Sequence, residues 1–276
     1  MKLVTFLHNN RTQLGEIVGD EVYVLSSSDT VRMTEMIRRG VTPNRVSQHY
    51  PLVQVKLLAP LRPGKIIAIG RNYAEHAKET GNKPPTSPMI FTKMTSSVLD
   101  PGEAITWRES ITKEVDWEVE LAVIIGKKAT RVSEEDALKY VFGYTIANDV
   151  SARDLQLRSD GRWTRGKGLD TFCPLAPVIV TPDEIPDPQN LNLKTMVNDE
   201  VMQDGNTKDM IFKVPYLIHY LSQYFTLEPG DVILTGTPPG VGEGRDPKVY
   251  LKDGDIVKCS IEGIGELVNP CKVLED

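Results

Sequence analysis

Val115-Asp116-Trp117-Glu118-Val119-Glu120-Leu121-Ala122-Val123-Ile124-Ile125-Gly126 is dense in β-branched and large apolar residues, a composition that fits a largely buried strand. Glu118 and Glu120 stand at i and i+2, so an extended backbone sends both carboxylates out of the same face. Two like charges side by side in a partly dry place repel strongly unless they are protonated or neutralised. A divalent cation is the simplest neutraliser. A third acid arrives in the same way: Asp149 follows the apolar run Val141-Phe142-Gly143-Tyr144-Thr145-Ile146-Ala147-Asn148, at a strand end where polar groups can converge. Three hard oxygen ligands suit Mg²⁺ or Mn²⁺ better than zinc, although a Glu-x-Glu pattern alone also fits a solvated strand face.

The rest of the composition narrows the function classes. Lys+Arg 32 against Asp+Glu 38 gives a net charge of -6 over 276 residues, with no basic footprint for nucleic acid or an anionic membrane. No apolar run is long enough to span a bilayer, and the first residues lack the features of a signal peptide, so a cytoplasmic protein is expected. Cys173, Cys259 and Cys271 are odd in number and lack CxxC spacing, which argues against a disulfide framework or a thiolate zinc site.

Residues 1–58 alternate short β-like runs, 2–8 and 16–25, with a helix expected near 34–39 and stopped by Gly40. Leu58-Ala59-Pro60-Leu61-Arg62-Pro63-Gly64 reads as a linker or entry turn, and a strand-rich main body follows over 59–276, starting with a strand at 65–70. Its helices are few: 74–80, 133–141 opened by a Ser133-x-x-Asp136 capping pattern, and 213–225 with Pro215 in its first turn. Sparse helices among many short strands predict a mixed α+β fold that is mainly β, a sheet-roll and not a regular βαβ array.

Several polar groups gather at the strand ends. Gly70-Arg71-Asn72-Tyr73 closes a strand and opens a short helix on which His76 and Glu79, three residues apart, share a face. A carboxylate beside an imidazole fixes its tautomer and raises its basicity, as a general base near neutral pH requires; the same pair also fits an exposed helix face. Gly81-Asn82-Lys83-Pro84-Pro85-Thr86-Ser87-Pro88 has the composition of a surface loop that would let this helix act as a lid. Arg153 and Gln156 can bind substrate oxygens, and Lys167, between two glycines, is a candidate to bind a developing oxyanion or a carboxylate. Lys93 ends another apolar segment and has similar scope. The stretch Leu234-Thr235-Gly236-Thr237-Pro238-Pro239-Gly240 lacks the Gly-Lys-Ser/Thr of a phosphate loop, so it reads as a tight turn whose Thr hydroxyl lines a pocket. His219 and the three tryptophans read as structural.

These residues, in this order, resemble the fumarylacetoacetate hydrolase family over about residues 60–272: Gly70-Arg71-Asn72-Tyr73 with His76 and Glu79, Glu118-x-Glu120, Asn148-Asp149-Val150-Ser151-Ala152-Arg153-Asp154, Lys167-Gly168, Thr235-Gly236-Thr237-Pro238 and Gly263-Ile264-Gly265-Glu266-Leu267. The resemblance implies a β-roll catalytic domain at 59–276 beside a small N-terminal α+β accessory domain at 1–58, and a homodimer. It implies Mg²⁺ or Mn²⁺ on Glu118, Glu120 and Asp149, with His76 and Glu79 activating water and Lys167 stabilising charge. Arg71, Tyr73, Lys93, Arg153, Gln156 and Thr237 are expected to bind a small 2-oxo acid. Such a substrate can chelate the metal through its carboxylate and 2-oxo oxygens, which stabilises an enolate when the bond to C3 breaks. The dyad points toward hydrolysis of an acylpyruvate C–C bond. Oxaloacetate decarboxylation and isomerisation of dienoic 2-oxo diacids are the alternatives, and a non-catalytic metal-binding protein is the reading from another class. Arg71, Arg158 and Arg162 permit a second substrate carboxylate.

Overall fold

The computed structural model describes residues 1–26, 32–159 and 161–276. Val119–Ile125 forms the expected buried strand and lies inside an eleven-stranded sheet. From one edge the order is Arg45–Pro51, Glu21–Leu25, Arg11–Val18, Lys2–His8, Val178–Val180, Val141–Asn148, Val119–Ile125, Val232–Leu234, Ile66–Gly70 and Met89–Lys93, with Lys56–Leu58 also pairing on Lys2–His8. The pairings are antiparallel except that Val232–Leu234 runs parallel to Ile66–Gly70. A second, five-stranded sheet runs Glu200–Asn206, Asn192–Val197, Ile256–Ile261, Gly265–Val273, Ile105–Trp107.

Alternation along Val119–Ile125 decides the layering. Val119, Leu121, Val123 and Ile125 enter a core shared with Leu193, Val197, Val257 and Ile261 of the second sheet. Ala122 and Ile124 enter another core, with Leu3, Leu14, Met33, Met36 and Ile37. A strand whose two faces are both covered needs the near-continuous apolar run that this segment has.

The run expected at 16–25 is a hairpin, Arg11–Val18 and Glu21–Leu25, because Gly19 turns the chain at φ +60. Lys2–His8 pairs antiparallel with Val178–Val180, Leu3 opposite Ile179, so the first 58 residues and the remainder contribute to one sheet.

Among the described residues five short or medium helices punctuate the strands: α1 (Met33–Arg38), α2 (Ala74–Glu79), α3 (Arg153–Leu157), α4 (Trp163–Lys167) and α5 (Val214–Tyr224). Helix α5 buries Val214, Leu217, Ile218 and Leu221 on one face against the first core, and His219 on it is held at Nδ1 by the Val132 carbonyl, 2.7 Å away. The helix expected at 133–141 is reduced to the 3₁₀ turn Ala137–Tyr140. Its capping contact forms, with the Asp136 N–H donating to Ser133 Oγ at 3.2 Å. The β-branched and aromatic residues from Val141 onward are drawn into the sheet, where Val141 pairs with Ile125. No helix among the described residues is long and apolar enough to cross a membrane.

Candidate active site

Glu120 leaves its strand on the side of Ala122 and Ile124, and Glu118 lies one residue before the strand begins. The Glu118 N–H donates to Asn148 Oδ1 at 2.9 Å, and its carbonyl accepts the Asp149 N–H at 2.8 Å. These two bonds bring the end of Val141–Asn148 alongside. One carboxylate oxygen each from Glu118, Glu120 and Asp149 then lies within 4.8 Å of the others, and all three residues are buried.

The acids are unequally neutralised. Lys167 Nζ stands 2.7 Å from Glu118 Oε2 and 2.8 Å from Asp149 Oδ2. Lys93 Nζ is 2.6 Å from Asp149 Oδ1, and Arg153 Nη2 is 2.7 Å from Glu118 Oε1 and 2.8 Å from Asp116 Oδ2. Glu120 accepts only the Gly236 N–H, at 2.7 Å, and among the described residues no cationic side chain bonds to it. Burial, then the Asp149 and Glu118 charges, push its carboxyl well above the usual range. For Glu118 burial acts the same way, but Lys167, Arg153 and His76 overcome it and hold the group at about 2. Burial would lower the Lys167 ammonium, yet Asp149 and Glu118 raise it.

Four buried acids, Asp116, Glu118, Glu120 and Asp149, thus face three buried cations, Lys93, Arg153 and Lys167, and the surplus negative charge falls on Glu120. An all-oxygen donor set with an uncompensated carboxylate fits a hard divalent cation. With such an ion present these seven groups and the ion would sum to one net positive charge, and Arg71 adds a cationic side chain on the same cleft.

Opposite the acids stands His76 on α2, 6% exposed. Its Nδ1 is 2.8 Å from Glu79 Oε1, which leaves Nε2 for the cleft. Glu79 is fixed in turn: its Oε2 accepts the Gly240 N–H at 2.8 Å. The turn after Val232–Leu234 supplies this support and the Gly236 bond to Glu120. Gly236 has φ +95, and a Cβ there would come within 2.6 Å of the Asn72 Cβ, so the close approach of this turn to the Gly70-Arg71-Asn72 corner requires glycine.

A cleft of about 470 Å³, mouth included, joins these groups. Among the residues expected from sequence, Arg71, His76, Glu118, Glu120, Arg153, Gln156, Lys167 and Thr237 line it. Glu79 stands behind His76, and Asp149 lies under Lys167. Tyr73 and Lys93 do not reach the wall. Tyr73 is 1% exposed with a hydroxyl that meets no partner among the described residues, and Lys93 turns inward to Asp149 and the Val150 and Lys167 carbonyls. Thr237 lines the cleft with a hydroxyl already engaged, donating to the Val119 carbonyl at 2.8 Å and accepting from Gln203 Nε2 at 2.7 Å. Arg158 is held by Glu243, Glu114 and Tyr250. Arg71, by contrast, meets no carboxylate among the described residues. Its guanidinium lies over Trp163, 5.4 Å from the ring centroid, and burial lowers its pKa.

Sequence reasoning gave no individual role to Asn72, Asn148, Gln203 or Asp116. Asn72 Nδ2 donates to the Phe212 and Thr235 carbonyls at 2.9 and 2.7 Å, and Gln203 Oε1 accepts the Val119 N–H at 3.0 Å. Asn72, Asn148 and Asp116 are polar residues in or at the end of an apolar run, the one signal that could have marked them, and Gln203 in the polar strand Glu200–Asn206 carries no such signal.

Known proteins share both the sequence and the fold of this chain. Residues 65–272 match the family described as fumarylacetoacetate (FAA) hydrolase C-terminal. Oxaloacetate tautomerase Fahd2a, mitochondrial, of Rattus norvegicus is 45% identical over 285 residues, covering 98% of this chain and 91% of that protein. Among solved structures, a fumarylacetoacetate hydrolase from psychrophilic Exiguobacterium antarcticum superposes with a TM-score of 0.88 at 41% identity, covering 99% of this chain and 100% of the other. A 2-hydroxyhepta-2,4-diene-1,7-dioate isomerase from Mycobacterium marinum gives 0.85 at 37% identity and covers both chains fully. The identity extends across nearly the whole length and the family match takes in every residue of the cleft, so this chain belongs to the fumarylacetoacetate hydrolase family.

Proposed function

We propose that this protein interconverts the keto and enol forms of a small 2-oxo diacid of the oxaloacetate type, with Mg²⁺ or Mn²⁺ on Glu118, Glu120 and Asp149. The observation that carries the reading is the placement of His76, oriented by Glu79 at 2.8 Å, on the same cleft as three converging carboxylates. A bound divalent ion supplies Lewis-acid stabilisation of negative charge on the 2-oxo oxygen. His76 takes the C3 proton at Nε2 while Glu79 stabilises the imidazolium through Nδ1, and the same Nε2–H then delivers that proton to the 2-oxo oxygen to complete the enol; ketonisation runs the two transfers in reverse. Arg71, free of any described carboxylate, receives the second carboxylate of the diacid at the mouth of the cleft. The name of the rat relative and its 45% identity over nearly the full chain support this substrate class.

Cleavage of an acylpyruvate is a second reading, favoured by one observation. Gln156 Oε1 accepts from Arg153 Nη1 at 2.9 Å, and its amide nitrogen donates to no described protein atom, so it is placed to meet an oxyanion at C4.

A panel of oxaloacetate, acylpyruvates and dienoic diacids, followed spectroscopically with Mg²⁺, with Mn²⁺ and after EDTA, separates the two. The expected result is metal-dependent ketonisation of oxaloacetate enol that His76→Ala slows by about 10²–10⁴-fold. Acylpyruvate cleavage without oxaloacetate turnover would reverse the order of the readings, and a fully active His76→Ala variant would remove His76 as the base.

A further inference from the structure

Asp116 is a wholly buried carboxylate with no part in the chemistry above. It belongs to a two-residue strand, Val115–Asp116, that pairs with Ser151–Ala152 immediately before α3. Each of its oxygens is doubly occupied. Oδ1 accepts the Trp117 and Gly242 N–H groups at 2.9 and 2.7 Å. Oδ2 accepts Arg153 Nε at 2.8 Å and the Glu243 N–H at 3.0 Å.

These partners belong to two different structures. Arg153 grips Glu118 on the acidic side, at 2.7 Å. Gly242 and Glu243 open the 3₁₀ turn Gly242–Gly244, and two residues earlier the Gly240 N–H holds Glu79 Oε2 at 2.8 Å. The Trp117 indole N–H donates to the Gly240 carbonyl at 3.2 Å, fastening the same segment from the neighbouring residue. The turn also sits hard against the chain that follows it, since a Cβ at Gly242 would lie 1.8 Å from the Val249 carbonyl oxygen and 2.9 Å from Asp116 Oδ1.

We propose that Asp116 is a positioning residue that ties the base pair to the acidic centre, orienting Glu118 through Arg153 and Glu79 through the 240–244 segment. The inference rests on reading His76 and Glu79 as the base pair. Because one rigid, fully bonded carboxylate supports both halves of the site, a shift in either is transmitted to the other. Orientation of this kind acts on turnover more than on substrate capture.

The test uses Asp116→Asn, which keeps the shape, alongside Asp116→Ala, with amide exchange and kinetics on the full chain. Outer-sphere partners of this type are worth about 10–100-fold in activity or metal affinity. We expect kcat for oxaloacetate tautomerisation to fall by that factor with KM nearly unchanged, and the Mn²⁺ dissociation constant, from titration by electron paramagnetic resonance, to rise about 10-fold. Exchange should accelerate at Gly240 and in α2 while Val119–Ile125 stays protected. Combining Asp116→Asn with Glu79→Gln should cost much less than the product of the single effects. Wild-type exchange at Gly240 and α2 in Asp116→Asn, general loosening that includes Val119–Ile125, or fully multiplicative effects would each overturn the proposal. Exchange and Mn²⁺ binding need no substrate. If the wild-type protein left oxaloacetate untouched, the function assigned above would fall while these two readouts still decided the role of Asp116.

Discussion

Glu120 carries the surplus charge of the site, and its two predicted signatures have opposite signs. Its folded pKa is raised above the unfolded value, so in metal-free protein its ionised form opposes folding. Stability should therefore increase as pH falls through that raised pKa. Glu120→Gln removes the burden, and the variant treated with EDTA is expected to melt at or above the wild type. With Mn²⁺ at about a hundred times its dissociation constant the wild type should gain about 2.7 kcal/mol, a rise of several degrees in Tm, and the variant almost nothing. Equal metal-induced shifts in both proteins would show that Glu120 is not a ligand. The pairing of Glu118 with Glu120 was legible in sequence because extended backbone has a period of two and the flanking residues are apolar, and Asp149 was legible because it follows an apolar run. The inward turn of Lys93 was not, since its partner Asp149 lies 56 positions along the chain and sequence shows neighbours along the backbone, not across the sheet.

Short elements carry much of the site, and the 3₁₀ turn Gly242–Gly244 shows how one is held. Burial raises the Glu243 carboxyl, but hydrogen bonds from Arg158, Lys248 and Tyr250 outweigh it and hold the group at about 2. A carboxyl depressed below its unfolded value stabilises the fold above about 4.5 and loses that contribution as pH falls toward 2. Glu243→Gln is thus expected to cost about 1 kcal/mol at pH 7, as suits a partly solvated network. The gap to wild type should narrow below pH 4.5, measured by denaturant titration across that range. A gap independent of pH would assign the loss to packing. Elements of this size were the least legible. The Ser133-x-x-Asp136 cap was visible and forms, but the sheet claims the residues that would have extended the helix. The hold of Asp116 on Gly242 spans 126 positions, and no local pattern announces it.

At the scale of the whole molecule, the mainly β character with few helices was readable from turn spacing and strand-like runs. How far the N-terminal strands penetrate the larger sheet was not, because edge pairing depends on register between segments nearly 180 residues apart. Leu3, Val4 and Phe6 are fully buried, and Leu3, Leu14, Met33 and Met36 share a core with Ala122 and Ile124, next to Glu120. At roughly 1.5–3 kcal/mol for each such side chain, their removal takes away burial comparable to the about 5–15 kcal/mol that holds a typical domain together. Residues 59–276 expressed alone are accordingly expected to lack cooperative unfolding and native near-ultraviolet circular dichroism. A sharp two-state transition for that fragment would establish 1–58 as a separable appendage. The two-sided strand Val119–Ile125 also constrains how such a protein can change over generations. Loss or gain of one codon within it would swap its faces, sending carboxylates into oil and aliphatic groups toward the ligand, so cohesion and chemistry are inherited as one unit. Novelty enters more readily at the rim of the cleft, where Arg71 and Trp163 stand outside that strand.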